Sequence, residues 1–94
     1  MTVRFAAVAE REYLAALEWL RDRNPSAAQR LQDNVVSIVT ALAAREFEGR
    51  EVVIDGGRAV RRWPAGSLVI YYRRRGEVLE VLRVFDARRE PIER

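Results

Sequence analysis

The strongest structural signal in this 94-residue chain is the stretch Arg58-Ala-Val-Arg-Arg-Trp-Pro-Ala-Gly-Ser-Leu-Val-Ile-Tyr-Tyr-Arg-Arg-Arg-Gly-Glu-Val-Leu-Glu-Val-Leu-Arg-Val-Phe-Asp-Ala-Arg-Arg-Glu90. The run from Leu68 to Tyr72 is branched and aromatic, as is typical of strands. A polar turn follows at 73–76, and a second apolar run extends from Val78 to Phe85, so the sequence predicts a β-hairpin. Arg83 interrupts the second run. Because a sheet built only for stability would not place a cation there, we expect Arg83 to meet an anionic group.

Length and composition indicate one small folded domain that spans residues 1–94. A hydrophobic content of 49% with clear periodicity argues against disorder. No apolar run approaches the roughly 20 residues that span a bilayer, and the N-terminus lacks the pattern of a signal segment. We therefore expect a cytoplasmic protein that does not associate with a membrane.

The residue types that are missing favour binding over catalysis. The chain has no histidine and no cysteine, and all 17 of its cationic residues are arginine. It therefore lacks the usual general base at neutral pH, a thiol nucleophile and an amine for Schiff-base chemistry. A zinc site would have to consist of carboxylates alone, which disfavours one. We expect no catalytic residue, no metal and no cofactor.

Positive charge is concentrated in the second half of the chain. Residues 1–49 carry a net charge of −1 and residues 50–94 a net charge of +4. A preference for arginine in the genome would explain the lack of lysine, but it would not explain this uneven distribution. The asymmetry indicates an anionic partner, either an acidic protein or a nucleic acid.

The first half of the chain predicts a strand and two helices. Thr2 to Phe5 has the alternation of a short strand, and Val8 to Arg23 has helical periodicity. Asn24-Pro25 ends this helix and starts the next one, because asparagine can cap a helix and proline suits its first turn. The second helix carries one continuous apolar stripe, formed by Ala28, Leu31, Val35, Ile38 and Leu42. Two helices joined this tightly should pack as an antiparallel hairpin.

The second half predicts a three-stranded antiparallel meander, which makes the fold class α+β with the helices on one face of the sheet. Residues 50–57 are either a further strand that enters a turn or a loop that places apolar residues on the core. Alternation predicts that Glu80 and Arg83 point to opposite faces of their strand. It also predicts that one of Tyr71 and Tyr72 is buried and that the other lies on the opposite surface. The run 73–75 of three arginines is interpreted as part of a solvated turn.

The chain resembles the ParE/RelE superfamily of bacterial type II toxins, and most closely its ParE branch. The similarity lies in the order of elements and in three segments: Arg-Asn-Pro-Ser-Ala-Ala at 23–28, Arg-Arg-Trp-Pro-Ala-Gly-Ser-Leu-Val-Ile-Tyr-Tyr-Arg at 61–73, and Val-Leu-Arg-Val-Phe-Asp-Ala-Arg-Arg-Glu-Pro at 81–91. A strand that ends in Leu-Arg-Val before an arginine-rich tail is the most specific of these features.

The resemblance implies a toxin that a cognate antitoxin holds inactive. ParE-type members poison DNA gyrase, whereas RelE-type members cut messenger RNA on the ribosome. The antitoxin of such pairs usually lays a C-terminal segment along the toxin. Many ParE-like chains carry histidine at the position of Asp86 and others carry aspartate, so the resemblance leaves the role of Asp86 open.

Residue types and resemblance together suggest seven residues that bind the target or the antitoxin. These candidates are Trp19, Arg58, Arg62, Arg83, Asp86, Arg88 and Arg89. Trp19 lies off the main apolar stripe of its helix and could line a groove for a partner. Arg83 has two interpretations that can both hold, namely a partner contact or a guanidinium that is neutralised within the fold.

The favoured function is therefore a toxin that acts by binding, with DNA gyrase as its target and an acidic antitoxin as its inhibitor. The alternative is a ribosome-dependent ribonuclease, for which Arg62 and Arg83 could stabilise charge on the phosphate but no proton acceptor is evident. Direct nucleic-acid binding is disfavoured, because the arginines lack an aromatic stacking platform.

Overall fold

A computed structural model describes residues 1–89 and 91–93 of the chain. Its elements are the strand β1 (Thr2–Phe5), the helices α1 (Ala7–Arg23) and α2 (Pro25–Ala43), and four further strands, with a 3-10 turn (Asp55–Gly57) before the second of them. These strands are β2 (Arg50–Ile54), β3 (Arg58–Ala65), β4 (Leu68–Arg75) and β5 (Val78–Asp86). The predicted α+β class is confirmed.

The sheet has the strand order β1-β5-β4-β3-β2. The predicted meander is present as β3, β4 and β5, and β2 extends it by one antiparallel strand, so the region 50–57 contains a strand rather than only a loop. β1 pairs with β5 in parallel, with Phe5 opposite Val81. Parallel neighbours need a crossover connection, and the two helices are part of the chain between β1 and β5.

The helical hairpin forms as predicted and packs on one face of the sheet. Asn24 ends α1 and caps α2, where its Oδ1 accepts a hydrogen bond of 3.1 Å from the N–H of Ala27. The predicted stripe of α2 faces the core, with Val35 and Leu42 fully buried and Leu31 partly buried. This face of the sheet and both helices enclose the main core.

A second apolar cluster lies on the face of the sheet opposite the helices. We call it the open-face cluster, and it consists of Ile54, Val60, Val69, Tyr71, Leu82, Phe85 and Ile92. Tyr71 and Tyr72 point to opposite faces as predicted, but both are buried, because Tyr72 belongs to the main core and Tyr71 to this second cluster. The prediction that one of the two lies on a surface was wrong.

A bulge in β5 changes which residues share a face. Tyr72 pairs with Val81 and Tyr71 with Arg83, so Leu82 is the extra residue. Because paired residues project to the same side, Arg83 lies on the face of Tyr71 and not, as alternation predicted, on the face of Val81. Glu80, which pairs with Arg73, lies on that same face. The predicted opposition of Glu80 and Arg83 was therefore wrong.

The arginine run before the hairpin turn belongs to β4 and has structural contacts. The side chain of Arg74 is only 12% exposed, and it bonds to the Glu48 carboxylate and, at 2.6 Å, to the Leu42 carbonyl. Arg73 pairs with Glu80 at 3.0 Å, and Arg75 lies 3.6 Å from the same carboxylate. The interpretation of this run as a solvated turn was wrong, since the turn itself starts at Gly76.

In the described part of the chain, no helix has the length and apolar character needed to cross a bilayer.

Candidate partner-binding site

A groove of about 600 Å³ runs between α1 and the adjoining ends of β4 and β5. Four of the seven predicted site residues line it, and its full lining is Arg11, Glu12, Ala15, Ala16, Trp19, Leu20, Ser67, Leu68, Val84, Asp86, Arg88 and Arg89. Apolar side chains from the helix and both strands alternate there with charged groups. The groove therefore offers a partner both an apolar surface and charges.

Glu12 and Arg83 connect α1 to β5 beside this groove. β1 ends at Phe5, so β5 continues past Val81 without a strand on that side. Glu12 occupies the vacant edge: its Oε1 accepts the N–H of Val84 at 3.1 Å and Nε of Arg83 at 3.0 Å, and its Oε2 lies 2.6 Å from Nη2 of Arg83. The carboxylate thus satisfies a strand amide and a guanidinium at once.

The anionic group expected for Arg83 is consequently within the fold. The side chain of Arg83 is 20% exposed, and the two hydrogen bonds that its guanidinium donates to the Glu12 carboxylate raise the pKa of the guanidinium above its usual value. The guanidinium also lies 5.2 Å from the centre of the Phe85 ring. Of the two interpretations, internal neutralisation is present in the structure, and Arg83 is a positioning residue behind the groove.

Trp19 forms the apolar wall of the groove on the helix side. It is 49% exposed, consistent with the prediction that it lies off the buried stripe. Arg23 holds the indole in place, since its guanidinium lies 4.1 Å from the ring centre and donates a 3.0 Å hydrogen bond to the Trp19 carbonyl. A tryptophan fixed in this way presents a large surface without the full entropy cost of ordering it on binding.

Asp86 and Arg88 form a local ion pair on the opposite rim. The carboxylate accepts the Arg88 N–H at 2.9 Å and two guanidinium hydrogen bonds at 3.0 and 2.8 Å. These bonds, with the nearby charge of Arg89, lower the pKa of Asp86 to about 2. Asp86 is therefore ionised at neutral pH and holds Arg88 at the groove.

The electrostatic balance of the groove is positive. Its lining contains three arginines (Arg11, Arg88 and Arg89) and two carboxylates (Glu12 and Asp86). Both carboxylates already form ion pairs, Glu12 with Arg83 and Asp86 with Arg88. An incoming anionic group therefore meets more positive than negative charge.

Arg58 and Arg62 do not belong to this groove. Arg62 lies on the opposite side of the sheet, where its Nε is 2.9 Å from Oε2 of Glu93 without hydrogen-bond alignment. Arg58 is exposed at the start of β3. The predicted set is thus divided between two faces of the molecule.

The sequence reasoning missed Glu12, which is the central polar group of the site. A signal was available, because Glu12 falls between Ala9 and Ala16 on the helix face that packs against the sheet. A carboxylate at such a position needs a partner, and Arg83 was the cation already singled out. The two residues could have been paired on that ground.

Tyr71, Tyr72 and Glu80 are poorly placed for proton transfer at neutral pH. Burial raises the pKa of Tyr72 above its usual value, and it raises the pKa of Tyr71 to about 12. Glu80 is engaged by two arginines. Among residues 1–89 and 91–93, no group of three or more carboxylates is placed to hold a metal ion.

Comparison with known proteins gives one family and one fold. A family model described as the ParE toxin of type II toxin-antitoxin system, parDE, matches residues 3–91. A solved chain from the chromosomal ParDE TA system of P. aeruginosa has a TM-score of 0.71 and 20% identity, over 92% of this chain and 95% of that one. Curated protein sequences show no significant match.

Proposed function

The chain belongs to the ParE family of toxins from type II toxin-antitoxin systems, and from this premise we propose that it inhibits DNA gyrase by binding and that a cognate antitoxin neutralises it. The place of action is the cytoplasm. The groove between α1 and the β4–β5 ends is the surface that receives the antitoxin.

The observation that carries this proposal is the combination of Trp19 with a rim of arginines. Apolar groups of a partner segment can pack on Trp19, Ala15 and Leu20. Acidic groups of the same segment can meet Arg11 and Arg89. Charge complementarity then favours rapid association and the choice of an acidic partner, while apolar contact contributes most of the affinity.

The composition of the site supports binding rather than bond cleavage. A general base near neutral pH is the minimal requirement for a ribonuclease that activates a 2′-hydroxyl. The chain has no histidine, and the carboxylates of the groove are already bonded to arginines. The tyrosines 71 and 72 are buried and bonded within the fold.

The target is tested by a supercoiling assay with purified DNA gyrase, relaxed plasmid and increasing amounts of the toxin. The proposal expects loss of supercoiling or accumulation of gyrase-linked DNA breaks. Normal supercoiling with no breaks at any toxin concentration would contradict gyrase as the target. Codon-linked cuts in translated messages, seen by primer extension, would instead indicate the ribonuclease function.

The antitoxin is tested separately. The reading frame immediately upstream should encode a short acidic protein with a DNA-binding N-terminal part. We expect it to co-purify with this toxin and to restore supercoiling at an equimolar amount. An upstream protein that binds the toxin but leaves its inhibitory activity intact would argue against neutralisation.

A further inference from the structure

The C-terminal segment crosses the sheet on the face that lacks helices. β5 ends at Asp86, and farther along the chain Glu93 lies at the far edge of the sheet, where it forms an isolated antiparallel bridge with Ile54 of β2. Ile92 enters the open-face cluster and is only 6% exposed. Residues 91–93, which we call the tail, therefore cover apolar surface that the strands alone leave open.

Glu93 fastens this tail through groups from three strands. Its Oε2 accepts a 2.7 Å hydrogen bond from the Tyr71 hydroxyl and lies 2.9 Å from Nε of Arg62, and its Oε1 lies 3.8 Å from Nη2 of Arg50. Two cations and a hydroxyl donor thus converge on one carboxylate. We call the three groups the carboxylate clasp.

Backbone pairing adds little to the attachment of the tail. Among the described residues, the tail pairs with β2 only at the bridge between Ile54 and Glu93. β2 is the last strand of the sheet, so the outer peptide groups from Arg50 to Val53 remain open to an added strand. Arg62 is buried at Nε without a well-aligned hydrogen bond. The site accordingly holds its own tail with an incomplete set of contacts.

We propose that this face is a second partner-binding surface, closed in the free protein by its own Ile92-Glu93 and opened by an extended partner segment that presents an aliphatic residue followed by a carboxylate. Such a segment fills the position of Ile92, bonds to the carboxylate clasp and pairs further along β2. The tail is a tethered competitor at an effective concentration on the order of millimolar. This surface is separate from the groove and does not depend on gyrase being the target.

The probe for this surface is a labelled synthetic peptide, Ala-Arg-Arg-Glu-Pro-Ile-Glu, which copies residues 87–93. Its binding is measured by fluorescence anisotropy with the full-length chain and with Glu93→Gln. The variant should bind the peptide about tenfold more tightly, since its own tail competes without the charge-assisted bonds. The matched control is Glu77→Gln, which changes an exposed carboxylate at the β4–β5 turn and should bind like the unchanged chain.

The same peptide with Ile-Gln in place of its final Ile-Glu should bind the Glu93→Gln variant much more weakly than the original peptide does. Equal binding by the unchanged chain and Glu93→Gln, or equal binding of the two peptides, would overturn the proposal. If Glu93→Gln does not fold by circular dichroism, amide hydrogen exchange of the unchanged chain decides instead. The tail amides should then exchange through local opening and therefore faster than the amides of β4. If the amides of both segments exchanged only through global unfolding, the proposal would be overturned.

Discussion

Glu12 and Arg83 lie 71 positions apart in the sequence and bring Oε2 and Nη2 to within 2.6 Å of each other. The same carboxylate accepts a hydrogen bond from the Val84 N–H, at a point where β5 extends beyond the end of the neighbouring strand β1. A helix side chain thereby completes the hydrogen bonding of a sheet edge. This contact joins α1 to β5 beside the groove.

Loss of the Glu12 carboxylate should destabilise the fold. Glu12→Ala leaves a partly buried guanidinium and a strand N–H without their acceptor, and we expect a loss of about 2 kcal/mol in the free energy of unfolding. Glu12→Gln keeps an acceptor and should lose about half as much. Urea unfolding measures both, with the exposed Glu18→Gln as control. Equal stability of Glu12→Ala and Glu18→Gln would refute the structural role of the pair.

The corner between α2 and β2 should not tolerate a side chain at Gly49. A Cβ there would clash with the Arg62 carbonyl oxygen and lie 2.9 Å from its carbon. The Gly49 N–H is also bonded to the buried Tyr72 hydroxyl at 2.6 Å, so the backbone cannot move away freely. We expect Gly49→Ala to lower the free energy of unfolding by about 2 to 3 kcal/mol.

The control for Gly49 is Gly56→Ala. Gly56 has a φ of +84° and open space around it, so its substitution should lower the free energy of unfolding by only about 1 kcal/mol through backbone strain. Thermal or urea unfolding measures the loss of stability in each variant, and the difference between them separates the steric clash at Gly49 from the backbone strain at Gly56. A smaller loss in the free energy of unfolding for Gly49→Ala than for Gly56→Ala would show that the backbone around Gly49 can move to accommodate a side chain.

Asp86 should make stability depend on acid pH. Because the bonds from Arg88 lower its pKa from 3.8 to about 2, the folded state favours the ionised carboxylate. The stabilisation is fully present above pH 4 and is lost as the pH falls toward 2. Arg88 is exposed, so solvent screens the pair and the effect on the free energy of unfolding should be small.

A carboxyl NMR titration of Asp86 measures the shift directly. In Asp86→Asn, the free energy of unfolding should depend less on pH between pH 4 and 2 than it does in the unchanged chain. An ordinary pKa for Asp86, or an unchanged profile in the variant, would show that the pair does not form in solution.

Tyr71 should report whether the carboxylate clasp is occupied. Burial and the Glu93 bond raise its pKa to about 12, so this contribution to stability is complete below pH 10 and is lost between pH 10 and 12. Glu93→Gln should lower the pKa of Tyr71, which ultraviolet titration of the tyrosines detects. The same titration curve in both proteins would mean that Glu93 does not reach the hydroxyl.

Trp19 should matter for binding and little for stability. Trp19→Ala removes an exposed indole, so the free energy of unfolding should change by less than about 1 kcal/mol. The affinity for the antitoxin should fall by at least about tenfold. Calorimetric titration gives the affinity. Leu14→Ala is the matched control, because Leu14 is 53% exposed on the same helix but does not line the groove. Equal affinities of the two variants would remove Trp19 from the binding site.

Much of the fold and part of the site could be predicted from local pattern. The stripe of α2 and the Asn24 cap lie within single segments, and periodicity encodes them there. Of the site, Trp19 and Asp86 were predicted and lie in one groove. The sequence could not show that Arg62 lies outside this groove, because residue type does not reveal which face of the sheet a side chain occupies.

The sequence alone determined the two helices, the presence of a hairpin between the last two strands, the arginine-rich second half and the lack of common catalytic groups. Only the tertiary structure decided that β1 lies beside β5, that Leu82 bulges and that Glu12 neutralises Arg83. Helical and strand periods arise from neighbouring residues, whereas pairing, register and ion partners depend on contacts between distant segments. Those contacts form only when the whole core packs.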